Sequence, residues 1–146
     1  MKERFKMVSA VYLILQDPEG KILFGLRQNT GYCDGEYGLP AGHVDGGESL
    51  KQACIREAKE EIGIDISEND LEMVHVMHRL NPSEHERLDF YFTVARYQGE
   101  LTNTEPDKCK SLEWLDITQN HPIMEHSLDS LRQWQAGKNY SDLDFN

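Results

Sequence analysis

Glu57, Glu60 and Glu61 fall within five residues of one another near the end of a segment with helical periodicity, and a loop bearing three glycines, Ala41 to Gly47, leads into that segment. Ser49 followed three residues later by Gln52 has the form of a capping box, and Gly63 suits a left-handed C-terminal cap, so a helix is predicted over Leu50 to Ile62. At about 100° per residue the three acids share one side and continue an apolar stripe of Leu50, Ala53 and Cys54. Ile55, Ala58 and Ile62 form a second stripe beside it. Glu60 and Glu61 occupy the last turn, where the helix dipole disfavours anions by up to about 1 kcal/mol each. Carboxylates about 4 Å apart also repel by up to about 4 kcal/mol per pair at an effective dielectric of 20, before screening. A solvated acidic face would gain nothing from that placement, whereas a bound divalent cation reverses the sign of both effects. Carboxylates that hold Mg²⁺ or Mn²⁺ can serve phosphate chemistry, because the cation bridges phosphate oxygens, offsets charge on a leaving phosphate and acidifies water. Hydrolysis of a phosphoanhydride needs little else.

The elements that must position these acids follow from pattern. Val8 to Leu15 is a nearly continuous apolar run and reads as a buried strand; Asp17-Pro18-Glu19-Gly20 has the composition of a type I turn, and Ile22 to Arg27 reads as the partner strand of a hairpin. Gln28 to Glu36 is loop, Tyr37 to Leu39 is a short extended piece ending at Pro40, and Ala41 to Gly47 is the loop that enters the helix. Within that loop Gly42 could present its carbonyl to a cation, and His43 reads equally as a ligand contact and as plain surface polarity. Leu71 to Leu80 and Leu88 to Val94 read as two strands joined by the polar NPSEHE segment, with His75 and His78 in no zinc spacing. Gly99 to Cys109 is a second acidic loop, a last strand runs through Leu112 and Trp114, and Met124, Leu128 and Leu131 mark a helix that stops at Gly137. Residues 138–146 read as a polar, flexible tail of a single domain spanning 1–146.

The chain has 146 residues, enough to bury a core without disulfides. Its three cysteines, Cys33, Cys54 and Cys109, are an odd number in no zinc spacing and read as reduced thiols of a cytoplasmic protein. The net charge of −11 argues against a nucleic-acid polymer or an anionic membrane as partner. The basic residues Lys2, Arg4 and Lys6 before Met7 to Leu15 imitate a signal peptide, but Gln16, Asp17 and Pro18 follow in place of a small-residue cleavage site. An acidic protein that handles phosphates must take its cation from solution.

Gly42, five residues, Glu48, seven residues, then Arg56-Glu57-Ala58-Lys59-Glu60-Glu61-Ile62-Gly63-Ile64 resembles the Nudix box, G-x5-E-x7-R-E-U-x-E-E-x-G-U with U aliphatic, at every fixed position. The resemblance implies an α/β/α sandwich with a mixed sheet, and a hydrolase that cleaves a nucleoside diphosphate linked to another moiety. Carried over residue by residue, it implies that Glu57, Glu60, Glu61 and the Gly42 carbonyl hold Mg²⁺ or Mn²⁺. Arg56 would orient the carboxylates, and Glu48 would support them from the loop. In parts of the family the general base is a box glutamate and in others a carboxylate of a downstream loop, where this chain has Glu105 and Asp107. The segment EPDKCKSLEW, with the Gly-His after Pro40-Ala41, is similar to MutT-like members that cleave nucleoside triphosphates to monophosphate and pyrophosphate. Those members usually read Pro-Gly-Gly-His, so Ala41 departs from the pattern. Pro82 falls only near the position of a proline that marks ADP-ribose enzymes, which leaves ADP-ribose and nucleotide sugars as alternatives. Arg27, at the end of the second strand, reads equally as a phosphate contact and as a surface charge. A non-catalytic nucleotide sensor of the same fold is the other alternative, though sensors typically lose box glutamates and this chain keeps them. Oligomeric state stays open, with a homodimer among the arrangements allowed.

Overall fold

In a computed structural model that describes residues 2–81 and 85–145, the chain runs β1 (Val8–Ile14), β2 (Ile22–Arg27), β3 (Tyr37–Gly38), β4 (Ala41–His43), α1 (Leu50–Ile62), β5 (Leu71–Arg79), β6 (Arg87–Val94), β7 (Cys109–Leu115), α2 (Glu125–Gln135) and β8 (Tyr140–Leu143). A mixed five-stranded sheet has the order β4-β1-β6-β5-β8, with β1 and β6 parallel at its centre. Beside it, β3, β2 and β7 form an antiparallel three-stranded sheet.

The apolar run of β1 is explained by helices on both sides of it. Ala10, Tyr12 and Ile14 point into one core with Leu131 of α2, while Val11 and Leu13, with Leu15 just beyond the strand, point into another with Ala53, Cys54, Ala58 and Ile62 of α1. A strand buried on both faces reads as continuous hydrophobicity because neither face meets water. The protein is thus an α/β/α arrangement around a mixed sheet, as the Nudix resemblance implies.

Three expectations are corrected. β1 and β2 do not pair along their length: the reversal at Asp17 is present, with Gly20 N–H donating to Asp17 O at 2.9 Å, Asp17 N–H to Lys21 O at 2.9 Å and Leu23 N–H to Leu15 O at 3.0 Å around an antiparallel Gln16–Ile22 bridge, but β2 then leaves for the other sheet. Leu23 and Phe24 bury on opposite faces of β2, whose partners beyond the turn are β3 and β7. Residues 41–43, read as loop, are the edge strand β4, paired to β1 through Ala10, Val11 and Tyr12. The polar tail does not fray throughout, because residues 140–143 add to β5 as parallel β8 and Ser141 Oγ lies 2.7 Å from buried His75 Nε2. On β6, Asp89 and Tyr91 are fully buried, since that face is covered by α2. Pro82 lies outside the described residues.

Candidate active site

α1 starts and stops as its sequence dictates. Ser49 Oγ accepts from Gln52 N–H at 3.1 Å and Gln52 Oε1 accepts from Ser49 N–H at 2.8 Å, closing the capping box; Gly63 sits at φ 72° and donates to Lys59 O at 3.2 Å. Burial of Ala53, Cys54, Ala58 and Ile62 against the sheet fixes the helix rotation. That rotation leaves Glu57 and Glu61 half-buried against β4 and turns Glu60 outward.

The glycine at position 42 is required by contact. A Cβ built there would fall on the Glu57 carboxylate, so only glycine lets β4 approach the helix this closely. One residue earlier, Ala41 N–H donates to Glu61 Oε2 at 3.1 Å. The Ala41 departure from the double-glycine pattern leaves that backbone contact intact, because it uses the main chain alone. The edge strand and the helix are thus joined through the two half-buried acids.

Arg56 organises the rest. Its Nε and Nη2 donate to the two oxygens of Glu48 at 3.1 and 2.7 Å, Nη1 donates to Glu57 Oε1 at 2.8 Å and to Glu60 Oε2 at 3.4 Å, and Nη2 also donates to His43 O at 3.1 Å. The forked contact holds the Glu48 carboxyl below its ordinary range. Burial raises the Glu57 carboxyl despite Arg56 beside it. Glu61 is the most perturbed acid of the group: burial pushes it up to about 8, the Ala41 N–H opposes that rise, and the charges of Glu57 and Glu105 add to it.

Glu61 and Glu105 line a cavity of about 570 Å³ together with Arg27, Pro40, Ala41 and Lys108. A smaller cavity of about 220 Å³ adjoins it through Arg27, Gly38, Leu39 and Ala41, and opens onto Gly42, His43, Arg79, Arg87 and the first turn of α2. Arg27 thus faces both spaces; its Nε donates to Tyr32 O at 2.9 Å and its Nη2 to Thr30 Oγ1 at 3.2 Å. The side chain of His43 is exposed, with Nε2 3.3 Å from Arg87 Nη1. Asp107 lines neither cavity; its carbonyl accepts from Asn29 Nδ2 at 3.0 Å.

Sequence pattern missed the buried ion pair behind the smaller cavity, in which Arg79 Nε donates to Asp89 Oδ2 at 2.6 Å. Its only signal was the presence of charged residues, Arg79 and Asp89 among them, in two facing strands of high apolar content. Also missed were Asn103 and Thr104, which brace the Glu105 loop.

Among the described residues no three His, Cys, Asp or Glu side chains already converge as a metal cage, since Arg56 draws Glu57 and Glu60 to itself. The donor set nonetheless fits a hard divalent cation. Glu61 and Glu57 are oxygen donors whose carboxyls burial raises, Glu61 further through the charge of Glu57, and the Gly42 main chain lies against Glu57 where any larger residue would fill the space.

Comparison with known proteins identifies the family. Residues 6–135 match the NUDIX domain family model. An 8-oxo-dGTP diphosphatase of Proteus vulgaris is 32% identical over 89 residues, 61% of this chain and 77% of that protein. An ADP-ribose pyrophosphatase of Methanocaldococcus jannaschii is 29% identical over 125 residues, covering 83% of this chain and 71% of its own length. Across the curated relatives it matches, the chain spans from 28% to 77% of their length. The crystal structure of a MutT NUDIX hydrolase from Burkholderia pseudomallei superimposes with a TM-score of 0.78 at 23% identity, over 88% of this chain and 98% of that one, a likeness of fold. No helix among the described residues is long and apolar enough to cross a membrane. With the box intact in sequence, folded as a loop and helix against the sheet, and matched by the family model over most of its length, the chain belongs to the NUDIX domain family.

Proposed function

We propose that the protein hydrolyses a nucleoside triphosphate to the monophosphate and pyrophosphate, using Mg²⁺ held by Glu57, Glu60, Glu61 and the Gly42 carbonyl. The observation that carries this reading is Glu61: a half-buried carboxylate, raised to about 8, set beside Glu57 at the rim of a cavity of about 570 Å³. A carboxylate desolvated beside another acid is costly unless a cation joins it. When bound, Mg²⁺ or Mn²⁺ supplies Lewis acidity at the phosphate oxygens and offsets charge on the leaving group.

The side chains do the positioning. Arg56, anchored by the Glu48 fork, holds Glu57 toward β4 and keeps Glu60 within reach. Arg27 faces the larger cavity, where a guanidinium pairs with phosphate oxygens. His43 contributes through its carbonyl, which orients Arg56, and its exposed ring stands where a substrate group can meet it. Glu105, which lines the same cavity as Glu61, accepts the proton of the attacking water in this reading.

The Proteus vulgaris diphosphatase relative supports a triphosphate substrate, and the small, acidic, cavity-bearing domain suits a free nucleotide rather than a polymer. The test is a panel of nucleoside triphosphates, ADP-ribose and nucleotide sugars with Mg²⁺, products resolved by ion-exchange chromatography. Monophosphate and pyrophosphate from a triphosphate are expected. Turnover of ADP-ribose alone would move the substrate to the alternative, and binding without turnover of any compound would make the protein a sensor.

A further inference from the structure

The last four carbonyls of an α-helix have no partner inside it. In α1 these belong to Lys59, Glu60, Glu61 and Ile62, and the helix's own cap takes only the first. The other three are met by one distant segment: Thr102 N–H donates to Ile62 O at 2.9 Å, Thr104 N–H to Glu61 O at 3.4 Å, and the Thr104 hydroxyl to Glu60 O. Water could serve carbonyls at an exposed helix end equally well, so their satisfaction does not by itself require this segment.

What the contacts do is tie the next residue, Glu105, to the backbone of the two acids that end α1. Bracing on the other side makes the tie rigid. Asn103 Oδ1 accepts from Glu105 N–H at 3.2 Å while Asn103 Nδ2 donates to Cys109 O at 2.6 Å, where β7 begins. Gln28 Nε2 and Asn29 Nδ2, just past β2, donate to Pro106 O and Asp107 O at 2.9 and 3.0 Å. Leu101 packs into the α1-side core. Glu105 is therefore held between α1, β2 and β7, on the wall of the cavity that Glu61 also lines.

We propose that Thr104, assisted by Asn103, is a positioning residue for hydrolysis: it locks the Glu105 carboxylate in register with the acids of α1. The proposal rests on the reading of Glu105 as proton acceptor. Misplacing a reacting group by about 1 Å costs on the order of 100-fold in rate, so loosening this lock should slow the chemical step and leave binding alone.

The experiment is steady-state kinetics with Mg²⁺ and the fastest triphosphate of the panel, on Thr104→Val, Thr104→Ser, Glu105→Gln and the Thr104→Val/Glu105→Gln double variant, with melting temperatures alongside. Thr104→Val should lower kcat about 10- to 100-fold with KM and the Mg²⁺ requirement unchanged. Thr104→Ser, which keeps the hydroxyl, should recover most of that loss. The double variant should be no slower than Glu105→Gln alone, because Thr104 acts through Glu105. Wild-type kcat in Thr104→Val, or losses that multiply in the double variant, would overturn the positioning role while leaving Glu105 in place. Wild-type kcat in Glu105→Gln would remove the proton acceptor and the proposal with it. Should Thr104→Val fold poorly, Asn103→Ala provides the same comparison through the other brace.

Discussion

Replacing Glu61 by glutamine is expected to stabilise the metal-free protein while abolishing turnover. Burial, with the charges of Glu57 and Glu105, pushes the Glu61 carboxyl up to about 8 from an ordinary 4.5, against the opposing Ala41 N–H. A carboxyl with a raised folded-state pKa contributes stability that is complete below the unfolded value and is lost as pH rises through the folded one. At about 1.4 kcal/mol per pKa unit, wild type should forfeit about 3 kcal/mol at pH 7 and about 5 kcal/mol above pH 8, relative to a side chain that cannot ionise. Glutamine is such a side chain, and its amide oxygen can still accept from Ala41 N–H. Urea unfolding in EDTA at pH 4, 7 and 9 should show the variant gaining on wild type as pH rises, with the two nearly equal at pH 4. Mg²⁺ should then stabilise wild type more than the variant, because it binds the native carboxylates. A gap that does not change with pH, or a variant less stable than wild type at pH 9 in EDTA, would refute the reasoning.

Other perturbations probe neighbouring parts of the account. Gly42→Ala should weaken Mn²⁺ binding measured by calorimetry at least tenfold, because its Cβ falls on the Glu57 carboxylate, at a stability cost of about 1–3 kcal/mol from overpacking. Arg56→Lys keeps the charge but loses the fork on Glu48, and kcat should fall about 10- to 100-fold as in other lost supports of metal ligands. Asp89→Leu strips buried Arg79 of its counter-charge and should cost about 3–5 kcal/mol in urea unfolding.

The parts of the structure governed by local rules were legible in the chain. The Ser49–Gln52 capping box, the Gly63 cap and the position of α1 follow from spacing, and with them the direction of Glu57 and Glu61. What spacing could not separate was the three acids: all share one helix side, yet Glu60 is exposed while Glu61 is half-buried, because that depends on where β4 lands. β4 itself is three residues long and contains a glycine, too short for any alternation to register. Extended β1–β2 pairing failed for a related reason. Turn chemistry reports that the chain reverses, whereas sheet membership is set by distant partners: β1 pairs with β4 and β6, and β2 with β3 and β7. β8 was hidden because a polar edge segment takes its stability from pairing with β5 and from the Ser141–His75 contact, neither of which is local. Glu105 could be named from its acidic loop, but its attachment to α1 rests on main-chain bonds that carry no side-chain signature beyond Thr104 and Asn103.

In the proposed function the α1 glutamates and the Gly42 carbonyl together hold the cation that hydrolysis requires. Anomalous diffraction from crystals soaked in Mn²⁺ tests it directly. A peak bounded by Glu57, Glu61 and the Gly42 carbonyl, with Glu60 turned toward it from Arg56, is the predicted result; a peak elsewhere, or a site that forms without Glu57 and Glu61, would contradict the account.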